Sequence, residues 1–112
     1  SLAKQASKAI KRTSFEVIIH EQYRNMKEVL GRYPHVVEFA EKAIAAADLP
    51  VRKNKIRGGT DGSKLSFMGL PCPNIFAGEH AFHSPYEFVS LQDMESATDV
   101  ILNLLELVAL EG

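Results

Sequence analysis

Val51-Arg52-Lys53-Asn54-Lys55-Ile56-Arg57-Gly58-Gly59-Thr60-Asp61-Gly62-Ser63-Lys64-Leu65-Ser66-Phe67-Met68-Gly69-Leu70-Pro71-Cys72-Pro73-Asn74-Ile75-Phe76-Ala77 packs most of the fold information into one run. Val51–Ile56 has the composition of a strand, and two glycines after it let the backbone turn sharply. Thr60 or Asp61 is then placed to cap a short helix over Thr60–Met68, which stops at Gly69. Pro73–Ala77 is short and apolar enough for a buried strand. A strand that returns to its sheet through a helix does so by a right-handed crossover. The expected fold class is therefore α/β, with parallel strands and flanking helices.

Downstream of that run, Gly78–Glu87 reads as a loop. Ser90, with Asp93 three residues on, is a capping-box pattern using Asp, and it opens a helix reaching about Leu110. Met94, Ala97, Ile101, Leu104, Leu105 and Val108 form its expected core stripe. Upstream, Pro34 suits the first turn of a helix, with Val36, Val37, Ala40, Ile44 and Ala47 inward and Glu38, Glu41 and Lys42 outward. Asp48-Leu49-Pro50 ends it. Residues 2–12 read as a short helix and Phe15–His20 as a strand, while residues 21–30 are too mixed for one element.

Composition excludes several classes of function. The 112 residues are 46% hydrophobic and 24% charged with a formal net charge of -1, which is ordinary for a globular chain. Arg52-Lys53-Asn54-Lys55 is the densest basic run and is too short to grip nucleic acid. Val100–Leu110 is interrupted by Asn103 and Glu106, so no stretch spans a membrane. The one cysteine, Cys72, cannot close an internal disulfide, and between two prolines it reads as a small buried residue. With no signal-peptide pattern, the cytoplasm is the default compartment. The chain does not start with Met, so either Ser1 was added or the chain was cut from a longer one.

Two loops carry candidate chemistry, and both are expected at the carboxyl ends of strands, where open α/β sheets place ligands. In Arg57-Gly58-Gly59-Thr60, a planar cation beside a glycine turn and helical N–H groups would suit a carboxylate. On spacing alone, an ordinary glycine turn with a surface arginine explains it at least as well. In Gly78–Phe88, His80, His83, Glu79 and Glu87 are raw material for a metal site. Four ligands from so short a loop would be cramped, and one histidine donated to a site completed elsewhere is the most it promises.

The run Ile56–Phe76, together with Tyr23-Arg24-Asn25-Met26 and with His83 three residues before Tyr86-Glu87-Phe88, resembles the C-terminal signature of the peptidase T family. The resemblance covers about residues 14–110. It implies a zinc aminotripeptidase with two metal ions bridged by an aspartate and a water, and a glutamate as general base. It implies an α/β catalytic domain interrupted by a lid domain that often mediates dimerisation. Residues 1–27 would then be the lid's tail and residues 28–112 the end of the catalytic domain.

By the same resemblance, His83 is the last zinc ligand, and Arg57, with Gly58, Gly59 and Thr60, binds the tripeptide's carboxylate end. His80 is a loop or supporting residue. No catalytic residue falls in this chain; the general base and the other ligands are expected upstream, and one imidazole alone would leave the isolated chain inactive. Glu79, Ser84 and Pro85-Tyr86 depart from the family pattern and make the loop bulkier. The expected partners are a tripeptide, the rest of the parent chain and a homodimer mate. The alternatives are another dipeptidase or deacylase of the same zinc class, or a stand-alone, non-catalytic α/β interaction domain. A reading frame long enough for two domains separates the last from the rest.

Overall fold

The computed structural model of the protein describes Leu2, Gln5, Lys8, Ser14 and residues 16–56 and 59–111. Within them, in chain order, lie α1 (Lys27–Leu30), α2 (Pro34–Ala46), α3 (Asp61–Phe67), β1 (Glu79–His80), β2 (Phe88–Val89) and α4 (Leu91–Glu111). Leu2, Gln5 and Lys8 are helical; the remainder of the helix expected over residues 2–12 lies outside the described residues, as does Phe15.

α2 begins as expected, with Pro34 in its first turn, where the missing N–H costs nothing. It ends where Asp48 takes a positive φ of 57° and Leu49 returns its N–H to Ile44 at 3.3 Å. Aspartate is among the few residues that tolerate this conformation. Ala40 and Ala43 are buried on the side of α2 turned to α4. Glu41, expected outward, is half-buried and pairs with Lys53.

The pairing of α2 with α4 is the main tertiary contact. Ala40 and Ala43 are matched on α4 by Ala97 and Val100, and these four are the buried apolar residues among those described. Small side chains let the helices approach closely. Asn103 Nδ2 donates to the carbonyl of Ala43 at 3.3 Å, and Lys42 Nζ meets Glu111 Oε2 at 2.5 Å.

The stripe expected on α4 needs correction. Ala97 is buried and Leu104 half-buried, but Met94, Ile101, Leu105 and Val108 are between 46% and 62% exposed. The packed face runs through Ser96, Ala97, Val100, Asn103, Leu104 and Leu107. Both faces of α4 are apolar, so periodicity could not choose between them. Side-chain size decided it, because Ala97 and Val100 fit against two alanines.

One ladder joins described residues: β1 and β2 pair antiparallel in the register Glu79↔Val89 and His80↔Phe88. The segment expected as a loop thus contributes a strand of its own. Residues 16–20, 51–56 and 73–77 carry no ladder among the described residues. A strand needs a hydrogen-bonded neighbour to exist as one. Two of these segments face each other across a cleft of about 330 Å³ lined by Ile44, Leu49, Arg52, Asn54, Ile75 and Phe76 among others.

The chain is spread out. Its radius of gyration is 20.5 Å, against about 13 Å for a compact domain of similar length. Val17, Ile18, Ile19, Ile56 and Leu102 are all more than half exposed.

Val100→Ala should lower stability by about 2 kcal/mol through the cavity left between α2 and α4. Ile101→Ala, on the open face, should cost about 0.5 kcal/mol or less. Denaturant unfolding followed by circular dichroism measures both, and the reverse order would show that the other face of α4 is packed.

Candidate functional site

Two clusters hold the residues singled out by the sequence. The first surrounds the glycine turn. Thr60 is extended, and its Oγ1 accepts the N–H of Ser63 at 3.2 Å, which caps α3 as expected. The same Oγ1 accepts from Asn74 Nδ2 at 3.1 Å. The Thr60 side-chain oxygen is therefore occupied in holding the turn. Gly59 lies so close to the ring of Tyr23 that a Cβ there would fall inside it. A Cβ on Gly62 would come within 2.5 Å of Asn74 Oδ1 and 2.8 Å of the Cys72 carbonyl.

Two serines finish the cluster. Ser63 and Ser66 are 6% and 2% exposed, and neither is idle. Ser63 Oγ donates to the Arg24 carbonyl at 2.7 Å, and Ser66 Oγ accepts the N–H of Cys72 at 3.0 Å. Buried hydroxyls with partners avoid the penalty of an orphaned polar group. The Arg24 guanidinium sits over the Phe67 ring, 5.4 Å from its centre. Its hydrogen bond and ion pair with Glu21, at 2.9 Å, hold its charge even more firmly than usual. Ser63, Ser66 and Asn74 were not singled out beforehand. The signal the sequence carries is that Ser63 and Ser66 are three apart and so share one face of α3.

Arg57 and Gly58, both expected to bind substrate, lie outside the described residues. Gly59 and Thr60 are half-buried at the foot of α3. Cys72 is half-buried with its backbone N–H tied to Ser66.

The second cluster is the β1–β2 hairpin and its tip. His83 is exposed and adopts a φ of 61°, and Ala81 has a φ of 55°. Such left-handed backbones in non-glycine residues cost about 1 kcal/mol or more and persist where surroundings enforce them. Here the enforcing contact is the N–H of His83 donating to Glu87 Oε2 at 2.6 Å. The N–H of Ser84 reaches the Ala81 carbonyl at 3.2 Å and that of Tyr86 reaches Ser84 Oγ at 3.1 Å. The His83 imidazole makes no hydrogen bond among the described residues and stands beside the Phe82 ring.

His80 is used differently. Its ring stacks on Phe88, with centroids 4.9 Å apart and planes 16° from parallel. Its Nε2 faces Asp93 Oδ2 at 3.4 Å. Asp93 is anchored in turn: its N–H donates to Ser90 Oγ at 3.0 Å and its Oδ2 accepts the Ser90 hydroxyl at 2.6 Å. The expected cap of α4 is thus present, with the carboxylate returning to the hydroxyl of Ser90. No group of three or more His, Cys, Asp or Glu side chains gathers for a metal among the described residues. The His83 imidazole is thus exposed on a backbone tied down by Glu87.

Known proteins place the chain. Peptidase T of Shewanella sediminis is 51% identical over 98 residues, which is 88% of this chain and 24% of that protein. Peptidase T of Vibrio cholerae is 45% identical over 106 residues, 95% of this chain and 26% of that protein. Clostridium perfringens peptidase T is 46% identical over 108 residues, covering 96% and 27%. The chain belongs to the peptidase T family. It spans about a quarter of the length of these curated relatives. No family model matches it. Among the described residues no helix is long and apolar enough to cross a membrane.

Two outcomes follow from this geometry. Gly59→Ala should destabilise the turn by about 1–3 kcal/mol through overpacking against Tyr23. Adding Tyr23→Ala should return part of that loss, so melting of the two single variants and the double one should be non-additive. Additive losses would mean that the ring and the turn are not in contact.

The second outcome concerns acid. The Ser90 hydroxyl, and after it His80, hold the Asp93 carboxyl below the usual carboxylate range. A lowered folded-state value means the contribution is complete above the unfolded pKa and is lost as pH falls through the folded one. Carbon-detected NMR titration of Asp93 should give a midpoint below about 3.9. A midpoint at or above that value would remove the assigned hydrogen bonds.

Proposed function

We propose that this chain is the part of a zinc aminotripeptidase that supplies one metal ligand, His83, and the arginine that receives the substrate's carboxylate end, Arg57. The carrying observation is the 51% identity with a peptidase T over 88% of the chain. Residues 1–27 are read as the tail of a lid and dimerisation domain, and residues 28–112 as the end of the catalytic domain. In that domain the segments at 51–56 and 73–77 become parallel strands once a sheet surrounds them. The open apolar face of α4 and the unpaired extended segments support a chain completed by further sequence over a stand-alone interaction domain.

In this reading a pair of zinc ions, when bound, would supply an activated water and Lewis-acid polarisation of the scissile carbonyl. His83 holds one of them through a neutral imidazole, and Glu87 keeps its backbone in place. The other ligands and the general base come from the rest of the longer chain. This chain alone is expected to be inactive. Arg57, Gly58, Gly59 and the main chain of Thr60 orient the peptide's carboxylate, and the Thr60 hydroxyl oxygen keeps its structural duty. We assign the enzyme to the cytoplasm, acting on tripeptides, with a second copy of itself as partner.

The test uses the longer protein that carries this sequence. His83→Ala should remove one zinc and nearly all tripeptide hydrolysis, whereas His80→Ala should cost about tenfold or less. Arg57→Ala should lower kcat/KM by about a hundredfold on tripeptides, leave zinc content unchanged and add little further loss on tripeptide amides. Full zinc in His83→Ala would overturn the ligand assignment, and equal losses on acid and amide would return Arg57 to a structural part.

A further inference from the structure

The hairpin that carries His83 has two residues in each strand. An isolated two-stranded hairpin is marginal in water even when longer, and all four strand residues are exposed. Beyond the covalent join of β2 to α4 through Ser90, two contacts with α4 help to place it. One is close backbone approach: Gly78 has a φ of 85°, and a Cβ on it would come 2.6 Å from Cβ of Asp93. The other is the His80–Asp93 pair.

We propose that Asp93 is a positioning residue, which through His80 fixes the hairpin on the first turn of α4 and so sets where His83 stands. The second half of this statement rests on the reading of His83 as a metal ligand. Asp93 is suited to the task because its own side chain is tethered to the start of α4. Its Oδ2 is held at 2.6 Å by the Ser90 hydroxyl, and its N–H is tied back to Ser90 Oγ. That same oxygen faces Nε2 of His80. His80 is in turn laid flat on Phe88, its partner across the ladder, so holding one ring holds both strands.

The tip follows the strands. The Ala81–Ser84 turn, the Ser84–Tyr86 contact and the Glu87–His83 hydrogen bond make it one piece. Tilting the hairpin on α4 therefore displaces the His83 imidazole. Zinc ligand distances are tolerant only to about 0.2 Å, so a small tilt is felt at the metal.

The experiment compares Asp93→Asn, His80→Phe and the double variant in the longer protein. Asn keeps the shape of Asp93, and Phe keeps a ring for Phe88 to stack on. Zinc affinity is read by chelator competition and hairpin mobility by amide exchange at residues 79–89. Each single variant should weaken zinc binding by about tenfold, the range for residues that orient metal ligands. Each should also speed exchange in the hairpin, while exchange in the α2–α4 core stays unchanged. The double variant should be no worse than either single one, because both break the same link.

Additive losses, unchanged exchange, or faster exchange with unchanged zinc affinity would each overturn the proposal. His83→Ala run beside them separates the two readings. If that variant keeps its zinc, the ligand assignment fails, and exchange in Asp93→Asn still decides whether the hairpin is pinned.

Discussion

Ala43 and Val100 are wholly shielded from solvent where α2 and α4 meet, and that contact is the main tie between distant parts of the chain. α2 delivers the chain, through the reversal at Asp48, into the extended segment that leads to the glycine turn. α4 begins at the Ser90 cap, against which the hairpin rests. The helix pair thus brackets the glycine turn and the hairpin in the chain, and its interface is mainly small side chains. Such an interface has little apolar area to spare, so the polar ties from Asn103 and Lys42 keep the helices in register.

Much of this was legible in the sequence. Pro34 marked the start of α2, Thr60 or Asp61 the cap of α3, and Ser90 with Asp93 the cap of α4, because each is a local rule acting within a few residues. The inward face of α4 was not legible, since Met94, Ile101, Leu105 and Val108 make as good a stripe as the one that packs. Nor was the hairpin: Glu79 and His80 have no strand signature, and the loop between them and Phe88–Val89 carries no hairpin-turn dipeptide to announce the pairing. The extended segments at 51–56 and 73–77 were recognised by composition, yet composition cannot supply the neighbours that turn an extended segment into a strand.

The candidate site divides along the same line. His83 and the glycine turn were visible as residue types next to predicted elements. What holds them was invisible, because Glu87, Ser63, Ser66, Asn74 and Asp93 act through contacts across turns and between elements. The signature run of the peptidase T family thereby acquires a physical meaning. Several of its residues, with Tyr23 and Arg24, interlock as a small polar and aromatic knot around α3, independent of any contact with a substrate.

The left-handed backbone at position 83 has an evolutionary consequence. A residue there has to satisfy a conformation that bulky and branched side chains resist, and histidine shares its tolerance of it mainly with glycine, asparagine and aspartate. Under the ligand role proposed for His83, only aspartate among those neighbours would offer a firm bond to a metal, and it would bring a negative charge beside Glu87. Drift at this position is therefore funnelled: most single-step replacements strain the turn, and most of those the turn accepts give up the imidazole's chemistry. A histidine found here is guarded by the shape of the chain as well as by what its ring does.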